Sequence, residues 1–383
     1  MLKIIRSITL LFCFLLFTAC SWFADDSEFE PADLISIEDP LPIDEKWSKG
    51  AGSGSGDQRL GLAPYIQDKQ IYTADYKGEL TAIDLATGKK KWQKDFKLSF
   101  SGGPGGNDEF LIVGSSNGEV LAVQIETGEL VWQKQLSSEI LSVPQLSEGI
   151  VIIRTTDGKI FALDSRDGHQ LWKYEQDVPS LSLRGTSNPV IDKGIVLVGL
   201  SNGKLIALNL EDGRLLSEIV VAPPAGSSEL DRIADIDGDP ILYGGVLYAA
   251  SYQGKVVAID GRAGKAIWHR DIATAKNMTV DPEALYLVNK KDEVYALDLD
   301  TGSSIWKLTD LLYRQLSAPV VFKEFIVVGD YQGYLHFIDK KTGKIISREH
   351  ADGDAITAQP LVVNHLLYVL SSDGDLAAFD INP

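Results

Sequence analysis

The sequence of 383 residues predicts an all-β fold, namely an eight-bladed β-propeller of four-stranded antiparallel blades. The first observation behind this prediction is a repeated motif, Ala-x-Asp-x-x-Thr-Gly. Three further residues separate its glycine from a tryptophan, as in Ala82–Gly88 and Trp92. A period near 40 residues indicates stacked copies of one structural unit. The motif glycines follow one another at steps of 40, 40, 45, 51, 38 and 41 residues: Gly88, Gly128, Gly168, Gly213, Gly264, Gly302 and Gly343.

Two further landmarks predict the strands inside each unit. A glycine ten residues before the motif glycine separates a β-rich run from an alternating run, as Gly118 separates Phe110–Gly114 from Glu119–Val123, which is typical of a tight hairpin. The Thr-Gly turn of the motif then leads to a strand that carries the tryptophan. Each unit also has an upstream proline, which predicts the start of its first strand: Pro64, Pro104, Pro144, Pro189, Pro240, Pro282, Pro319 and Pro360.

The eight prolines indicate eight blades, and the ring has to close between the last blade and the first. An eighth copy of the motif begins at Ala378 and has no tryptophan strand, whereas Ile43–Trp47 is a tryptophan strand with no blade before it. We expect this N-terminal strand to complete blade eight, which removes the open edges of a linear array. The tryptophans should pack between neighbouring blades, less well where Ser217 and Ser347 replace them.

Composition and the N-terminus define the setting of the propeller. The formal net charge of −18 disfavours nucleic acid as a partner. Residues 1–19 are typical of a secretory signal, and Phe17–Cys20 resembles the bacterial lipobox, which implies lipidation of Cys20. In the lipoproteins that this segment resembles, an Asp after the cysteine favours retention at the inner membrane, so the resemblance implies that Ser21 permits sorting to the outer membrane. The acidic residues 20–45 are expected to form a flexible tether, and 46–383 the propeller.

No pattern in the sequence predicts a catalytic or metal centre. The five histidines lack ligand spacing, and the mature chain has no Gly-x-Ser-x-Gly elbow and no cysteine nucleophile. Asp235-x-Asp237-x-Asp239 begins like a calcium loop, but Pro240 interrupts it and Val246 stands where the bidentate glutamate belongs. We therefore expect no catalytic residue, no metal site and no cofactor.

The repeat itself resembles the blades of the pyrroloquinoline quinone enzymes, which raises the alternative of a periplasmic quinone-dependent dehydrogenase. Those enzymes carry extra segments, a pair of adjacent cysteines and calcium-binding carboxylates, whereas this chain has no Cys-Cys pair and little length beyond eight minimal blades. The motif therefore predicts architecture, and the functional prediction depends on the departures from it.

Two units are longer than the others, and both extra lengths lie between a tryptophan strand and the next proline. They are residues 177–188 and 222–239. Because such connections share one rim of a propeller, they should form one continuous patch. It would present the apolar side chains and arginines that loops on a rigid scaffold use to bind proteins: Leu181, Leu183, Ile233, Arg184 and Arg232. The alternative is that the arginines and aspartates pair with each other and brace the loops.

Taken with the leader and the minimal blades, Ser-Leu-Ser-Leu-Arg-Gly and Glu-Leu-Asp-Arg-Ile-Ala-Asp-Ile-Asp resemble the BamB family, lipoproteins of the outer-membrane β-barrel assembly machinery. The resemblance implies a non-enzymatic, lipid-anchored scaffold that faces the periplasm, binds the POTRA domains of BamA and assists insertion of outer-membrane proteins. Nascent barrel strands are further candidate clients, through exposed blade edges. An adaptor with another partner stays open. By position, the partner-binding residues are Leu181, Leu183, Arg184, Asp235 and Asp237, with Asp231, Arg232 and Ile233 as secondary candidates.

Overall fold

The computed structural model describes residues 29–381, apart from 57, 180, 185–186, 225–226, 229–231, 253 and 352. The predicted signal and Cys20 lie outside the described residues. No helix in the described part of the chain is long and apolar enough to cross a bilayer.

Within the described residues, the regular secondary-structure elements are all β-strands. Two strands precede the first complete blade: β1 (Ile43–Gly50) and β2 (Gly61–Leu62). The first four blades follow in chain order: blade one, β3 (Tyr65–Gln67), β4 (Gln70–Ala74), β5 (Glu79–Asp84) and β6 (Lys90–Asp95); blade two, β7 (Phe100–Gly106), β8 (Phe110–Ser115), β9 (Glu119–Gln124) and β10 (Leu130–Gln135); blade three, β11 (Gln145–Ser147), β12 (Ile150–Arg154), β13 (Lys159–Asp164) and β14 (Gln170–Glu175); blade four, β15 (Val190–Asp192), β16 (Ile195–Gly199), β17 (Lys204–Asn209) and β18 (Leu215–Val220).

The remaining strands continue the pattern. They are, in order: blade five, β19 (Ile241–Tyr243), β20 (Val246–Ser251), β21 (Lys255–Asp260) and β22 (Ala266–Arg270); blade six, β23 (Thr279–Val280), β24 (Leu285–Val288), β25 (Val294–Leu297) and β26 (Ser304–Leu308); blade seven, β27 (Val320–Phe322), β28 (Phe325–Gly329), β29 (Tyr334–Asp339) and β30 (Ile345–His350); blade eight, β31 (Leu361–Val363), β32 (Leu366–Leu370) and β33 (Asp375–Ile381).

The predicted eight-bladed propeller is confirmed. Seven sheets have four strands, and blade two gains a fifth because β2 pairs in parallel with β7. Blade eight has the order β1-β33-β32-β31, with Trp47 opposite Ala378, so the N-terminal strand closes the ring as predicted. The turn between the second and third strands of a blade lies on the same rim of the ring as the connections from one blade to the next. We call this rim the loop rim.

Six of the eight prolines stand at the start of a first strand, as predicted, and two do not. Pro282 lies in the turn between β23 and β24, and the first strand of blade six begins earlier, at Thr279. Seven prolines stand six residues before their second strand, and Thr279 holds that place in blade six. Pro104 lies inside β7, and the other six directly precede a first strand.

The tryptophans join neighbouring blades, as predicted. Each of these indole rings stacks on the turn glycine of the next blade. A Cβ atom added to that glycine would lie only 2.6–2.7 Å from the ring, so no other residue could replace the glycine without a clash. The indole N–H also donates to a carbonyl in that blade at 2.6–3.1 Å. These bonds are Trp47–Leu85, Trp92–Ile125, Trp132–Ser165, Trp172–Leu210, Trp268–Leu299 and Trp306–Lys340.

The two blades in which serine replaces the tryptophan differ from each other. In blade seven, Ser347 is 1% exposed, and Phe337 stands where the other blades have an alanine. In blade four, Ser217 is exposed, and nothing lies within 4 Å of a Cβ at Gly264 of the next blade. The expectation of poorer packing is therefore confirmed at Ser217 and wrong at Ser347.

The N-terminal segment 29–42 lies against blade seven and is not a free tether along this stretch. Phe29 packs edge-on against Tyr313 with ring centroids 5.6 Å apart, and Arg348 donates to the Ile35 carbonyl at 3.1 Å. Ser347 donates to the Leu41 carbonyl at 2.7 Å, so this segment covers the place of the missing tryptophan. We call residues 29–42 the strap. It leads from the loop rim to β1, which starts at Ile43.

Candidate partner-docking site

The two inserted connections lie side by side on the loop rim, on either side of blade four, as predicted. The first insertion loop, 176–189, joins β14 to β15, and the second, 221–240, joins β18 to β19. Hydrogen bonds link them directly, because the backbone N–H of Leu183 donates to Asp235 Oδ2 at 2.5 Å. The loops therefore form one surface rather than two independent ones.

Three predicted contact residues of the first loop are accessible at this surface. Leu181 is 39% exposed, and Leu183 is half-buried. The Arg184 side chain is 49% exposed, yet its guanidinium donates to the Arg59 carbonyl at 2.8 Å and to Glu139 Oε1 at 2.6 Å. An apolar pair thus stands beside an arginine whose position is fixed before any partner arrives.

Asp235 is buried beneath the first insertion loop and binds its backbone. Its side chain is fully buried, one oxygen accepts the Leu183 N–H, and the other has no hydrogen-bond partner among the described residues. Burial, with a smaller contribution from the nearby Asp237, raises the pKa of Asp235 to about 7, against the opposing effects of the Leu183 bond and Arg154. The carboxyl therefore titrates near neutral pH.

A second clamp lies further along the chain, at the end of both loops. Asp239 accepts hydrogen bonds from the Asn188 backbone N–H at 2.6 Å and from Asn188 Nδ2 at 2.8 Å. Its own N–H donates to Asn277 Oδ1 of the next connection at 2.8 Å. Burial raises the pKa of Asp239 to about 6, against the lowering effect of these donors. Asp239 thus ties three successive blade connections together.

The buried counter-charge to these carboxylates is Arg154, at the end of β12. It is 3% exposed, and it donates to the Gly199 carbonyl at 2.6 Å and to Ser187 Oγ at 3.2 Å. Burial lowers its pKa to about 10, and the three aspartates oppose that effect. Burial raises the pKa of Asp237 to about 6, while Arg154 lowers it.

Two predicted contact residues are in the wrong place to touch a partner. Asp235 is fully buried and Ile233 is only 6% exposed, because the neighbouring Ile236 packs into blade four against Gly199. Both therefore position the surface and do not form it. Asp237 is half-buried, Arg232 is exposed and makes interactions of its own, and Asp231 lies outside the described residues.

Asp235 braces the first loop, as the alternative interpretation expects of the aspartates, but it does so through a backbone amide and not by pairing with an arginine. The sequence did not reveal Arg59, Glu139, Asn188 or Arg154 as parts of the site. These residues come from four different connections or strands, and no local pattern relates them.

The surface borders a cavity of about 800 Å³ at the mouth of the central channel. Leu183, Arg184 and Asp237 line it together with Arg59 and Lys276. Lys276 pairs with Asp292 at 2.6 Å. Burial and the nearby Arg59 lower the pKa of Lys276, whereas the pairing with Asp292 opposes this shift. Among the charged residues of the lining, four cations (Arg59, Arg184, Lys276 and Lys290) outnumber two carboxylates (Asp237 and Asp292), on a chain of net charge −18.

The aspartates of the second loop do not gather as metal ligands do. Within the described residues, only Asp164, Asp167 and His169 bring three ligand atoms within 4.8 Å of one another. Asp164 in that group already pairs with Arg166 at 2.7 Å. The site is therefore a polar scaffold under an apolar and cationic surface, which suits binding of a protein.

Comparison with known proteins agrees with this picture. A family model described as outer membrane protein assembly factor BamB matches residues 76–308 and 313–382. The chain belongs to the BamB family. A BamB assembly factor from Pseudomonas aeruginosa is 45% identical over 354 residues, which are 92% of this chain and 93% of the relative. The crystal structure of BamB from Moraxella catarrhalis matches with a TM-score of 0.81 at 30% identity, over 88% of this chain and 100% of that one.

The likeness to quinone enzymes concerns the fold alone. A europium-containing methanol dehydrogenase matches with a TM-score of 0.71, but at 13% identity over 88% of this chain and 93% of that one. The BamB family consists of assembly factors of outer membrane proteins, which are not enzymes. Membership of this family therefore decides against the dehydrogenase and in favour of a non-enzymatic role.

Proposed function

We propose that this BamB-family protein is a lipid-anchored scaffold of the outer-membrane β-barrel assembly complex, which docks on the periplasmic POTRA domains of BamA through the two insertion loops. It thereby assists folding and insertion of outer-membrane proteins. Leu181, Leu183 and Arg184 make the contact, with Asp237 at its edge. Asp235 and Ile233 hold the loops in place from beneath.

The observation that carries this proposal is the clamped geometry of the first loop. Asp235 holds the Leu183 backbone, and Glu139 holds the Arg184 guanidinium at 2.6 Å. A loop that is ordered before binding loses less conformational entropy when a partner arrives. The surface also combines an exposed leucine and an arginine, which are residue types suited to apolar contacts and charge-assisted hydrogen bonds at interfaces.

The strap supports an orientation for the anchored molecule. Its first residue, Phe29, packs against Tyr313 in the connection from β26 to β27, on the same rim as the insertion loops. A lipid on Cys20 would be nine residues from Phe29, and an extended chain of that length spans at most about 30 Å. The loop rim would then lie on the membrane side of the ring, close to membrane-embedded BamA.

The experiment is co-purification of BamA with the doubly substituted Leu183→Asp, Arg184→Glu protein from detergent-solubilised membranes. We expect capture of BamA to be lost, because the substitutions put a buried charge into the apolar contact and reverse the sign of the adjacent cation. Far-UV circular dichroism and the melting temperature should stay at wild-type values, since neither side chain belongs to a blade core.

The matched control is Leu171→Asp with Arg166→Glu, which alters an exposed leucine and an exposed arginine on blade three, away from the loop rim. This variant should retain BamA. Retention of BamA by the Leu183, Arg184 variant would refute the site. Capture of a different protein by the wild type, without BamA, would favour an adaptor with another partner.

A further inference from the structure

The junction between blades four and five lacks the tryptophan that joins other blades. We define the Ser217 seam by Leu197, Ala207 and Ser217 of blade four together with Gly261 and Gly264 of blade five. Ser217 lies opposite Ala207 on the neighbouring strand, and Ala207 lies opposite Leu197 on the strand after that. In the blades with a tryptophan, the tryptophan takes the place of Ser217, opposite an alanine that itself faces a large apolar residue. The seam therefore keeps the framework of an indole site without its indole.

Burial indicates that this site is open. The alanines that face the tryptophan strand in blades one, two, three, five and six are all fully buried: Ala82, Ala122, Ala162, Ala258 and Ala296. Ala207, at the same place in blade four, is only partly buried. Gly264 is exposed, with nothing within 4 Å of a Cβ built on it, whereas its counterparts lie directly beneath an indole.

The acceptor for an indole N–H is also present. In the six filled seams, the indole donates to the carbonyl three residues before the turn glycine, as Trp172 does to Leu210 beside Gly213. The equivalent carbonyl in blade five is that of Gly261, to which none of the described residues donates a hydrogen bond. An indole in the seam could thus make both contacts that its six counterparts make.

The other seam without a tryptophan gives a precedent for its occupant. At Ser347 the gap is closed by Phe337 and by the strap, whose Leu41 N–H donates to the Ile346 carbonyl at 3.4 Å and whose Leu41 side chain packs against the same apolar cluster as Phe337. In blade four neither substitute exists, because residue 207 is alanine and no described segment crosses Ser217. At Ser347 the seam is thus closed by large apolar side chains and by a separate chain segment that hydrogen-bonds to the outermost strand of the blade.

The surroundings of the seam suit an extended polypeptide. β18 is the outermost strand of blade four and has β17 as its only strand neighbour, so its far edge can pair with another strand. Leu242, whose Cδ1 lies 3.7 Å from a Cβ at Gly261, is 40% exposed across the seam. A bound chain would cover this leucine.

We propose that the Ser217 seam is a second docking site, which takes an extended segment of another polypeptide along β18 and inserts an aromatic side chain, best a tryptophan, between Ala207 and Gly264. The aromatic ring stacks on Gly264, and an indole N–H donates to the Gly261 carbonyl. This site lies on the outer edge of the ring, away from the loop-rim surface, and does not depend on docking to BamA.

The test measures binding of two short fluorescein-labelled peptides to the detergent-purified full chain by fluorescence anisotropy. The peptides alternate valine and threonine, with a central tryptophan in one and alanine in the other. We expect the tryptophan peptide to bind at least about tenfold more tightly, a difference of about 1.4 kcal/mol. Hydrogen–deuterium exchange should show protection of 215–220 and 261–266 by that peptide.

Ser217→Trp should lower the affinity for the tryptophan peptide to that of the alanine peptide, because the protein's own indole fills the seam. Glu218→Trp is the matched control, since it adds the same side chain to the opposite face of β18, and it should bind as the wild type does. Ala207→Phe is a second blocking variant, which copies Phe337 of blade seven and serves if Ser217→Trp does not fold.

Equal affinity for the two peptides, or undiminished binding by both blocking variants, would overturn the proposal. Protection confined to other strands would do the same. Concentration-dependent self-association of the wild type that Ser217→Trp abolishes would identify a second copy of this chain as the occupant instead, which also overturns it. The Leu183→Asp, Arg184→Glu variant should bind the tryptophan peptide normally, so failure of one proposal leaves the other testable.

Discussion

Asp235→Asn should flatten the pH dependence of stability near neutrality. The native pKa of Asp235 is raised to about 7, against 3.8 for an ordinary aspartate. The native state therefore holds a proton that the unfolded chain has lost, and stability falls as pH rises through the native pKa. From pH 5 to 7 the loss is about 1.4 kcal/mol per unit, or about 3 kcal/mol for this fully buried carboxyl. The amide that replaces the carboxyl cannot ionise, so the variant escapes this loss.

The assay compares melting temperatures of wild type and variant at pH 5 and pH 8 by scanning calorimetry. With an unfolding entropy of about 2.1 cal/mol/K per residue over about 340 residues, 3 kcal/mol corresponds to about 4 °C. The wild type should thus lose about 4 °C more than Asp235→Asn between the two pH values. Asp237 and Asp239 remain in both proteins, so the difference isolates Asp235. Asp212→Asn, in an exposed turn, is the control and should follow the wild type; equal slopes for wild type and Asp235→Asn would refute the reasoning.

Three further predictions concern the blade junctions, the loop clamp and the strap. Trp172→Ala should lower the free energy of unfolding by about 3–5 kcal/mol in urea titrations, because it leaves a cavity on Gly213, whereas Ser217→Ala should be nearly neutral; similar losses would contradict the open seam. Asp239→Ala should speed deuterium uptake by residues 183–188 while the blade strands stay protected, and unchanged uptake would argue against a clamp. Tyr313→Ala should make residues 29–42 more sensitive to limited proteolysis without altering the melting of the ring; coupled melting would mean that the strap is part of the core.

The sequence predicted the features that repeat. Spacing alone indicated the blades, and the lone Trp47 strand indicated how the ring closes. The sequence also predicted that the two insertions are neighbours, because both connections must share a rim. Such features follow from local periodicity and from the geometry of a closed ring, which act on every blade alike.

The features that did not repeat were less accessible to sequence reasoning. Asp235 and Ile233 occur in a polar, inserted segment that resembles an exposed loop, and their burial follows from the packing of Ile236 on Gly199, a long-range contact. The acidic composition of the strap suggested a solvated tether, yet Arg314 donates to the Ala32 carbonyl at 2.8 Å and so binds its backbone. Backbone recognition of this kind leaves no trace in the composition of the segment it binds.

Ring closure by β1 and β33 also has a consequence for the order of folding. Nearly the whole described chain separates these partners, whereas every other pair within a blade, apart from the parallel pair of β2 and β7, consists of consecutive strands. During synthesis β1 emerges first and stays unpaired until β33 emerges, so blade eight has to assemble last. Until then the partly folded molecule presents a free strand edge at each end, and these edges are a hazard for misassembly. Arrival of the last strand is thus the event that ends this exposure.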